Sequence, residues 1–164
     1  MFRLHCSPDL PEPVAAGMRQ RLTAVARRVL SVHLAGGPVE AVLTDDTEVR
    51  RLNAAYRGRD RSTDVLSFSF LSEPAGPRAV AHDPPLAPVE APAGELYISL
   101  QRAAAQAEEQ GVTVEEELTR LLVHGLLHLA GFDHRTTAEL DVMERETDRF
   151  TRLSPGPAGG GDPP

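Results

Sequence analysis

The sequence has 164 residues, of which 41% are hydrophobic, and a formal net charge of −7 at pH 7. This size and composition favour one globular domain with a sizeable core. They exclude a membrane protein, because no apolar run approaches the roughly 18 residues of a membrane span. The acidic balance argues against indiscriminate nucleic-acid binding but is compatible with a local basic cleft.

The N-terminal residues lack the apolar core of a signal peptide, so we expect a cytoplasmic protein. The single cysteine, Cys6, excludes an intrachain disulfide and cannot by itself form a zinc site. Any metal site must therefore use histidines and carboxylates.

The first third of the chain predicts two strands and two helices. Residues 2–6 are compatible with a short strand. A helix follows, ended by Gly36-Gly37-Pro38, because apolar residues recur at helical spacing: Met18, Leu22, Val25, Val29 and Val32. Residues 39–44 alternate and are rich in β-branched side chains, which predicts a strand. A helix is then predicted over residues 47–57, capped by Asp45 or Asp46 and ended by Gly58. Its core-facing residues are Val49, Leu52 and Tyr56.

A concentrated positive patch lies before the next strand, which is predicted over residues 64–70. Within twelve residues there are five arginines and one acidic residue, Asp60; the arginines are Arg50, Arg51, Arg57, Arg59 and Arg61. In an acidic protein this patch predicts an anion-binding surface. The alternative is a solvated helix face followed by a charged loop.

The remainder of the chain is predicted to be mainly helical. Residues 71–93 contain six prolines and six alanines and favour a long exposed loop. Residues 94–99 form a strand, and Ser99 caps a helix over 100–110 that Gly111 ends. A capping box at residues 113–116 begins a largely apolar helix to about 130. Residues 136–139 begin a final helix whose Leu140, Met143 and Phe150 pack inward.

These elements predict a single α/β (α+β) domain over residues 1–153, followed by a flexible tail over 154–164. The domain has a small mixed sheet of three to four strands and about five helices. The helix that carries His124 and His128 lies at its centre.

Three histidines fall within residues 124–134, whose sequence is HGLLHLAGFDH. Residues four apart lie on one face of a helix, so His124 and His128 can bind one ion. Gly131 stands where a helix can end in the left-handed conformation, after which the chain can turn and bring His134 to the same ion. Three imidazoles and one water form an open zinc site of the catalytic kind. The alternative, three packing histidines, is disfavoured by their spacing on an apolar helix.

A zinc ion held in this way lowers the pKa of its water to near 7, so hydrolysis is the predicted reaction class. Zinc peptidases place Glu directly after the first histidine, where this chain has Gly125. A peptidase therefore remains an alternative that requires Asp133 or Glu95 as the base.

A phosphodiester substrate instead requires guanidinium groups near the zinc, because negative charge accumulates on its oxygens in the transition state. The arginine patch is the candidate supply. Arg57 is the predicted catalytic arginine, and Arg59 and Arg61 are predicted to bind substrate.

Four blocks together resemble the YbeY family of bacterial endoribonucleases. They are residues 52–57, residues 63–68 (TDVLSF), residues 94–96 (GEL) and residues 124–134. The resemblance implies a zinc-dependent, single-strand-specific endoribonuclease that acts in small-subunit rRNA 3′-end maturation and ribosome quality control. It implies that His124, His128 and His134 bind one zinc ion and that Arg57 lies in the active-site cleft.

The resemblance also implies three kinds of partner: rRNA, the small ribosomal subunit with one of its proteins, and a ribosome-assembly GTPase. The chain departs from the family pattern at Ser62, Ser69 and Glu95, where proline, proline and aspartate are usual. Two questions stay open. Histidine sites also accept nickel, copper or iron, and a structural zinc in a non-catalytic ribosome-assembly factor would show a closed coordination sphere.

Overall fold

The computed structural model describes residues 1–34, 37–70 and 93–152. Over these residues the strands are β1 (Phe2–Cys6), β2 (Val39–Thr44), β3 (Val65–Ser69) and β4 (Gly94–Ser99). The helices are α1 (Ala16–His33), α2 (Asp46–Arg57), α3 (Leu100–Gln110), α4 (Val114–Leu129) and α5 (Thr137–Thr151). The predicted α/β class, with a small mixed sheet and five helices, is confirmed.

The four strands form one sheet in the order β1-β2-β4-β3. Strands β1, β2 and β4 are parallel, because a helix crosses over between each successive pair along the chain. Strand β3 is antiparallel to β4, with Phe68 opposite Glu95 and Leu66 opposite Tyr97. Among the described residues β3 is therefore an edge strand, and the candidate site lies beside it.

The two faces of the sheet are covered by different helices. Successive side chains of a strand point to opposite faces. Val65 of β3 and Leu96 of β4 approach Gly125 of α4 on one face. On the other face Leu66 joins Val49 and Leu52 of α2 in a second core cluster, with Phe68 and Tyr97 packed against it. Helix α2 is thus separated from α4 by the sheet.

Helix α4 is the central helix of the fold, as predicted. It packs against α1, α3, α5 and the sheet, and ten of its sixteen residues are buried. A Cβ atom on Gly125 would lie 2.8 Å from Leu96 Cδ2 and 3.1 Å from Val65 Cγ2. A glycine is required here because the backbone of α4 approaches the sheet closely.

Helix boundaries follow the predicted caps, whereas three predicted core residues are exposed. Asp45, Ser99, Thr113 and Thr136 each accept a hydrogen bond from a backbone N–H in the first turn of their helix. Val32, Tyr56 and Leu140 are 53%, 59% and 39% exposed, so their assignment to the core is wrong. Each lies near one end of its helix. There the row of apolar residues extends beyond the elements on which the helix packs, so these side chains face solvent.

The predicted loop over residues 71–93 and the predicted tail over 154–164 lie outside the described residues, apart from Ala93. Ala93 is buried, and its N–H donates to the carbonyl oxygen of Pro38 at 2.7 Å. No helix within the described ranges has both the length and the apolar character required to cross a bilayer.

Candidate metal centre and arginine-lined cleft

The end of α4 has a geometry that returns the chain towards its own last turn. Gly131 has φ +93°, in the left-handed region. Its N–H donates to His128 O, and the N–H of Phe132 donates to Leu127 O, each at 3.0 Å. These two bonds form a Schellman motif. The next residues turn back, and the carboxylate of Asp133 accepts a hydrogen bond from the N–H of His134 at 2.8 Å.

This turn brings the three motif histidines together. One ring nitrogen from each of His124, His128 and His134 lies within 4.8 Å of the others. The Nε2 atoms of His124 and His128 are 3.2 Å apart. Two nitrogens bound tetrahedrally to one zinc ion at roughly 2.0–2.1 Å lie about 3.3 Å apart, so this pair fits a shared ion. The group can therefore hold a metal ion.

Within residues 1–34, 37–70 and 93–152, no Asp, Glu or Cys joins this histidine group as a fourth ligand. The first two histidines are partly buried on α4, and His134 is exposed. Counted over the described residues, a bound ion would keep one position open towards solvent, as a catalytic zinc site does.

The protonation of the histidines also suits metal binding. The Nδ1 of His128 lies 3.0 Å from the carbonyl oxygen of Phe132, and donation to this acceptor leaves Nε2 free as a ligand. Burial, together with the neighbouring His128 and Arg120, lowers the pKa of His124 to about 4. Burial is also the main cause that lowers the pKa of His128. At neutral pH both imidazoles are neutral, the form that binds a metal.

Arg57 connects the face of α2 with the face of α4. It is the last residue of α2, and its Nη2 donates to the carbonyl oxygen of Ser67 at 2.9 Å. The hydroxyl of Ser67 donates in turn to the carbonyl oxygen of Gly125 at 3.3 Å, beside His124. The charge of Arg57 also contributes to the lowered pKa of His128, after burial and His134. Arg57 thus lies beside β3, close enough to the histidine group for its charge to act on His128.

The predicted arginine patch divides into paired and available side chains. Arg50 forms a two-bond ion pair with Asp60 at 2.7 and 3.0 Å, and Arg51 does the same with Glu48 at 2.7 Å. Arg57, Arg59 and Arg61 instead line one polar cavity of about 350 Å³. The structure therefore brings together the three arginines predicted to act on substrate and leaves the other two neutralised.

Asp64 lines the same cavity and is held by its neighbours. Its carboxylate accepts hydrogen bonds from the N–H of Val65 at 2.8 Å, from Gln106 Nε2 at 3.1 Å and from the Thr63 hydroxyl at 3.1 Å. Burial raises the pKa of Asp64, but these hydrogen bonds outweigh burial and leave the pKa lowered. The carboxylate is ionised at neutral pH and anchors the start of β3.

Two of the three positions considered for a zinc peptidase, 125 and 95, are not arranged for that reaction. Position 125 faces the sheet, where even a Cβ atom would be 2.8 Å from Leu96. Glu95 lies on the opposite face of the sheet, opposite Phe68 and bonded to the Tyr97 hydroxyl at 3.1 Å. Asp133 is paired with Arg135 at 2.6 Å. The condition under which Glu95 could act as the base is therefore not met.

Four residues in or beside the site were missed or wrongly assigned from the sequence. The carbonyl of Phe132 could not have been found, because residue type carries no information about a backbone acceptor. Ser67 and Asp64 lie in the block 63–68, but only the strand pairing shows that Ser67 reaches α4. Tyr56 was assigned to the core by its helical spacing, whereas 59% of it is exposed beside Arg57.

The chain is similar to proteins of one family. The family described as Endoribonuclease YbeY matches residues 13–153. A protein named Endoribonuclease YbeY from Chelativorans sp. (strain BNC1) is 40% identical over 139 residues, which cover 82% of this chain and 76% of that one. A protein of the same name from Roseiflexus sp. (strain RS-1) is 43% identical over 135 residues, 76% of each chain.

The fold also matches a solution structure of a protein from Thermotoga maritima. The two have a TM-score of 0.55 and 23% sequence identity, and the match covers 99% of this chain and 100% of the other. This match concerns the fold alone. The match over residues 13–153 and the identities of 40% and 43% establish that the chain belongs to the YbeY family.

Proposed function

We propose that this protein is a zinc-dependent endoribonuclease that cuts single-stranded RNA in the 3′-end maturation of small-subunit rRNA and in ribosome quality control. The observation that carries the proposal is the convergence of three histidine nitrogens within 4.8 Å, beside an arginine that reaches the same part of the sheet. Relatives named Endoribonuclease YbeY support the choice of RNA as substrate.

The residues have distinct roles in this proposal. His124, His128 and His134 would hold one zinc ion, which when bound supplies an activated water and polarises the phosphoryl oxygen. Arg57 would stabilise the charge that develops on the phosphate oxygens. Arg59 and Arg61, on the cavity that Arg57 also lines, would bind neighbouring phosphates and hold the chain in register.

The other two hypotheses have less support. A peptidase would need a carboxylate base: Gly125 carries none and Glu95 lies on the opposite face of the sheet, which leaves Asp133, itself paired with Arg135. A structural zinc would need a fourth protein ligand, and the histidine group has none among the described residues. The open position and the arginine-lined cavity both favour hydrolysis of a phosphodiester.

The proposal extends to partners and compartment. We propose that the protein acts in the cytoplasm with the small ribosomal subunit, one of its proteins and a ribosome-assembly GTPase. The support is membership of the YbeY family. Co-sedimentation with small subunits at low ionic strength tests this part separately from catalysis.

The proposed activity is tested by combining metal analysis with a cleavage assay. Purified protein should contain about one zinc per chain and cut a single-stranded precursor of the small-subunit rRNA, and His128→Ala should lose both properties. His5→Ala is the matched control, because His5 lies on β1, outside the histidine group, and is 50% exposed. Stoichiometric zinc with no cleavage of any single-stranded RNA would contradict the proposal, and cleavage of peptides alone would favour the peptidase.

A further inference from the structure

Tyr56 is an aromatic residue of α2 that lies mostly exposed. It lies one residue before the end of α2, and 59% of it is exposed. Its ring centroid is 5.4 Å from that of Phe68, in an edge-to-face arrangement at 65°. Its hydroxyl has no hydrogen-bond partner among the described residues. An exposed ring of this kind is available to a ligand with a flat apolar face.

Tyr56 is the outer member of a row of three aromatic rings. Phe68 contacts Tyr97 at a centroid distance of 6.1 Å and 75°. The row contains both tyrosines of a chain that has seven aromatic residues and no tryptophan. Tyr97 is fixed by its hydrogen bond to Glu95 at 3.1 Å, and Phe68 is fixed by the strand pairing. The inner two rings therefore give Tyr56 a rigid support.

Contacts of Arg57 and Ser67 link the row to α4, the helix that carries His124 and His128. The guanidinium carbon of Arg57 lies 5.8 Å from the centroid of Phe68, within the range of a cation–π contact. The same guanidinium donates to the carbonyl oxygen of Ser67, whose hydroxyl contacts Gly125 next to His124. The exposed ring of Tyr56 and the guanidinium of Arg57 thus occupy consecutive positions of the chain. The ring faces solvent, and the guanidinium contacts β3 at Ser67.

We infer that Tyr56, supported by Phe68, stacks on a base of single-stranded RNA while Arg57 binds the adjoining phosphate. The inference rests on the proposed function and adds a physical origin for single-strand preference. A base can stack on a side chain only when it is free of its own neighbours, and such stacking tolerates any sequence because every base has a flat face. Tyr56 is a positioning residue, since it would contact a base and not the reacting atoms.

The absence of tryptophan from the chain permits a direct test. Tyr56→Trp introduces a single fluorophore at the proposed stacking position, in the zinc-loaded protein. A single-stranded RNA of roughly ten nucleotides should quench its fluorescence, whereas a duplex of the same sequence and an abasic ribose-phosphate oligomer of equal charge should not. Val114→Trp is the matched control: Val114 is 39% exposed and begins α4, about 21 Å along that helix from His128. It should show no quenching with any of the three.

Affinity measurements give a second readout. Tyr56→Ala should weaken binding of the single strand by about tenfold or more, the usual consequence of removing an aromatic side chain on which one base stacks. It should leave binding of the abasic oligomer unchanged. Tyr56→Phe should restore wild-type affinity. Tyr56→Leu keeps an apolar contact with Phe68 without a ring face, so it should resemble Tyr56→Ala, and it serves if Tyr56→Ala fails to fold.

Two results separate this inference from the proposed function. Equal affinity of wild type and Tyr56→Leu for the single strand, with normal cleavage by both, would overturn the stacking role and leave the endoribonuclease intact. Quenching and weakened binding as described, with no cleavage by wild type, would support the stacking surface and contradict the catalytic proposal. Equal quenching by the single strand and the abasic oligomer would show that Tyr56 responds to charge alone, and would also overturn the inference.

Discussion

The Nδ1 of His128 lies 3.0 Å from the carbonyl oxygen of Phe132, four residues later in the chain. This hydrogen bond orients the imidazole, and it exists because Gly131 turns the chain at φ +93°. The orientation of a proposed metal ligand therefore depends on a glycine that is not part of the histidine group.

Gly131→Ala should weaken zinc binding and destabilise the fold by about 1 kcal/mol, because an L-residue is strained at positive φ. Gly111→Ala is the matched control: Gly111 also has positive φ, +68°, and a Cβ atom meets nothing within 4 Å at either glycine. Both variants should lose similar stability in urea unfolding with a chelator present, and only Gly131→Ala should lose zinc affinity in a competition titration. Equal zinc affinity of the two would show that the turn does not orient the ligand.

Arg57→Ala should keep about one zinc per chain and lose roughly 100-fold or more of the cleavage rate, the usual cost of removing a group that stabilises transition-state charge. The metal content is expected to persist because Arg57 contacts Ser67 and Phe68 and supplies no ligand. Arg50→Ala is the matched control, since Arg50 lies on the same helix and is paired with Asp60. Loss of zinc from Arg57→Ala would contradict its assignment to the phosphate.

Gly125→Ala should destabilise the protein by about 1–3 kcal/mol, because the added methyl group would lie 2.8 Å from Leu96 Cδ2. Gly17→Ala in α1 should have the opposite sign and stabilise by up to about 1 kcal/mol, since its Cβ would meet only the end of Arg21 at 3.4 Å. Denaturant unfolding of both variants checks this. A neutral or stabilising Gly125→Ala would mean that α4 does not approach the sheet this closely.

Asp64→Asn should destabilise the protein at pH 7 and much less at acid pH. The pKa of Asp64 is lowered in the folded state, so its contribution is fully present above the unfolded pKa of roughly 4 and is lost as pH falls through the folded value. A loss of about 1 kcal/mol at pH 7 is expected from the hydrogen bonds to Gln106 and Val65. Asp141→Asn, at an exposed position of α5, is the control. Stability curves between pH 3 and 7 that stay parallel for wild type and Asp64→Asn would contradict this account.

The sequence by itself determined the local features of this protein, because these depend on interactions between near neighbours in the chain. The capping box at Thr113 and the glycine after α4 are readable from residue type and spacing. The same holds for the i, i+4 pair of histidines and for the turn that returns His134. The α/β class also followed, because the strand and helix patterns alternate along the chain.

Only the tertiary structure decided which residues meet across the sheet. Pairing of β3 with β4 places Ser67 against α4 and Phe68 on the opposite face, because successive side chains of a strand point to opposite faces of the sheet. Helical spacing alone assigned Tyr56 to the core. In the structure the layer on which α2 packs does not extend to the end of the helix, so the ring of Tyr56 is exposed. The ion pair between Arg50 of α2 and Asp60 of the following loop likewise separates Arg50 from the three arginines that line the cavity.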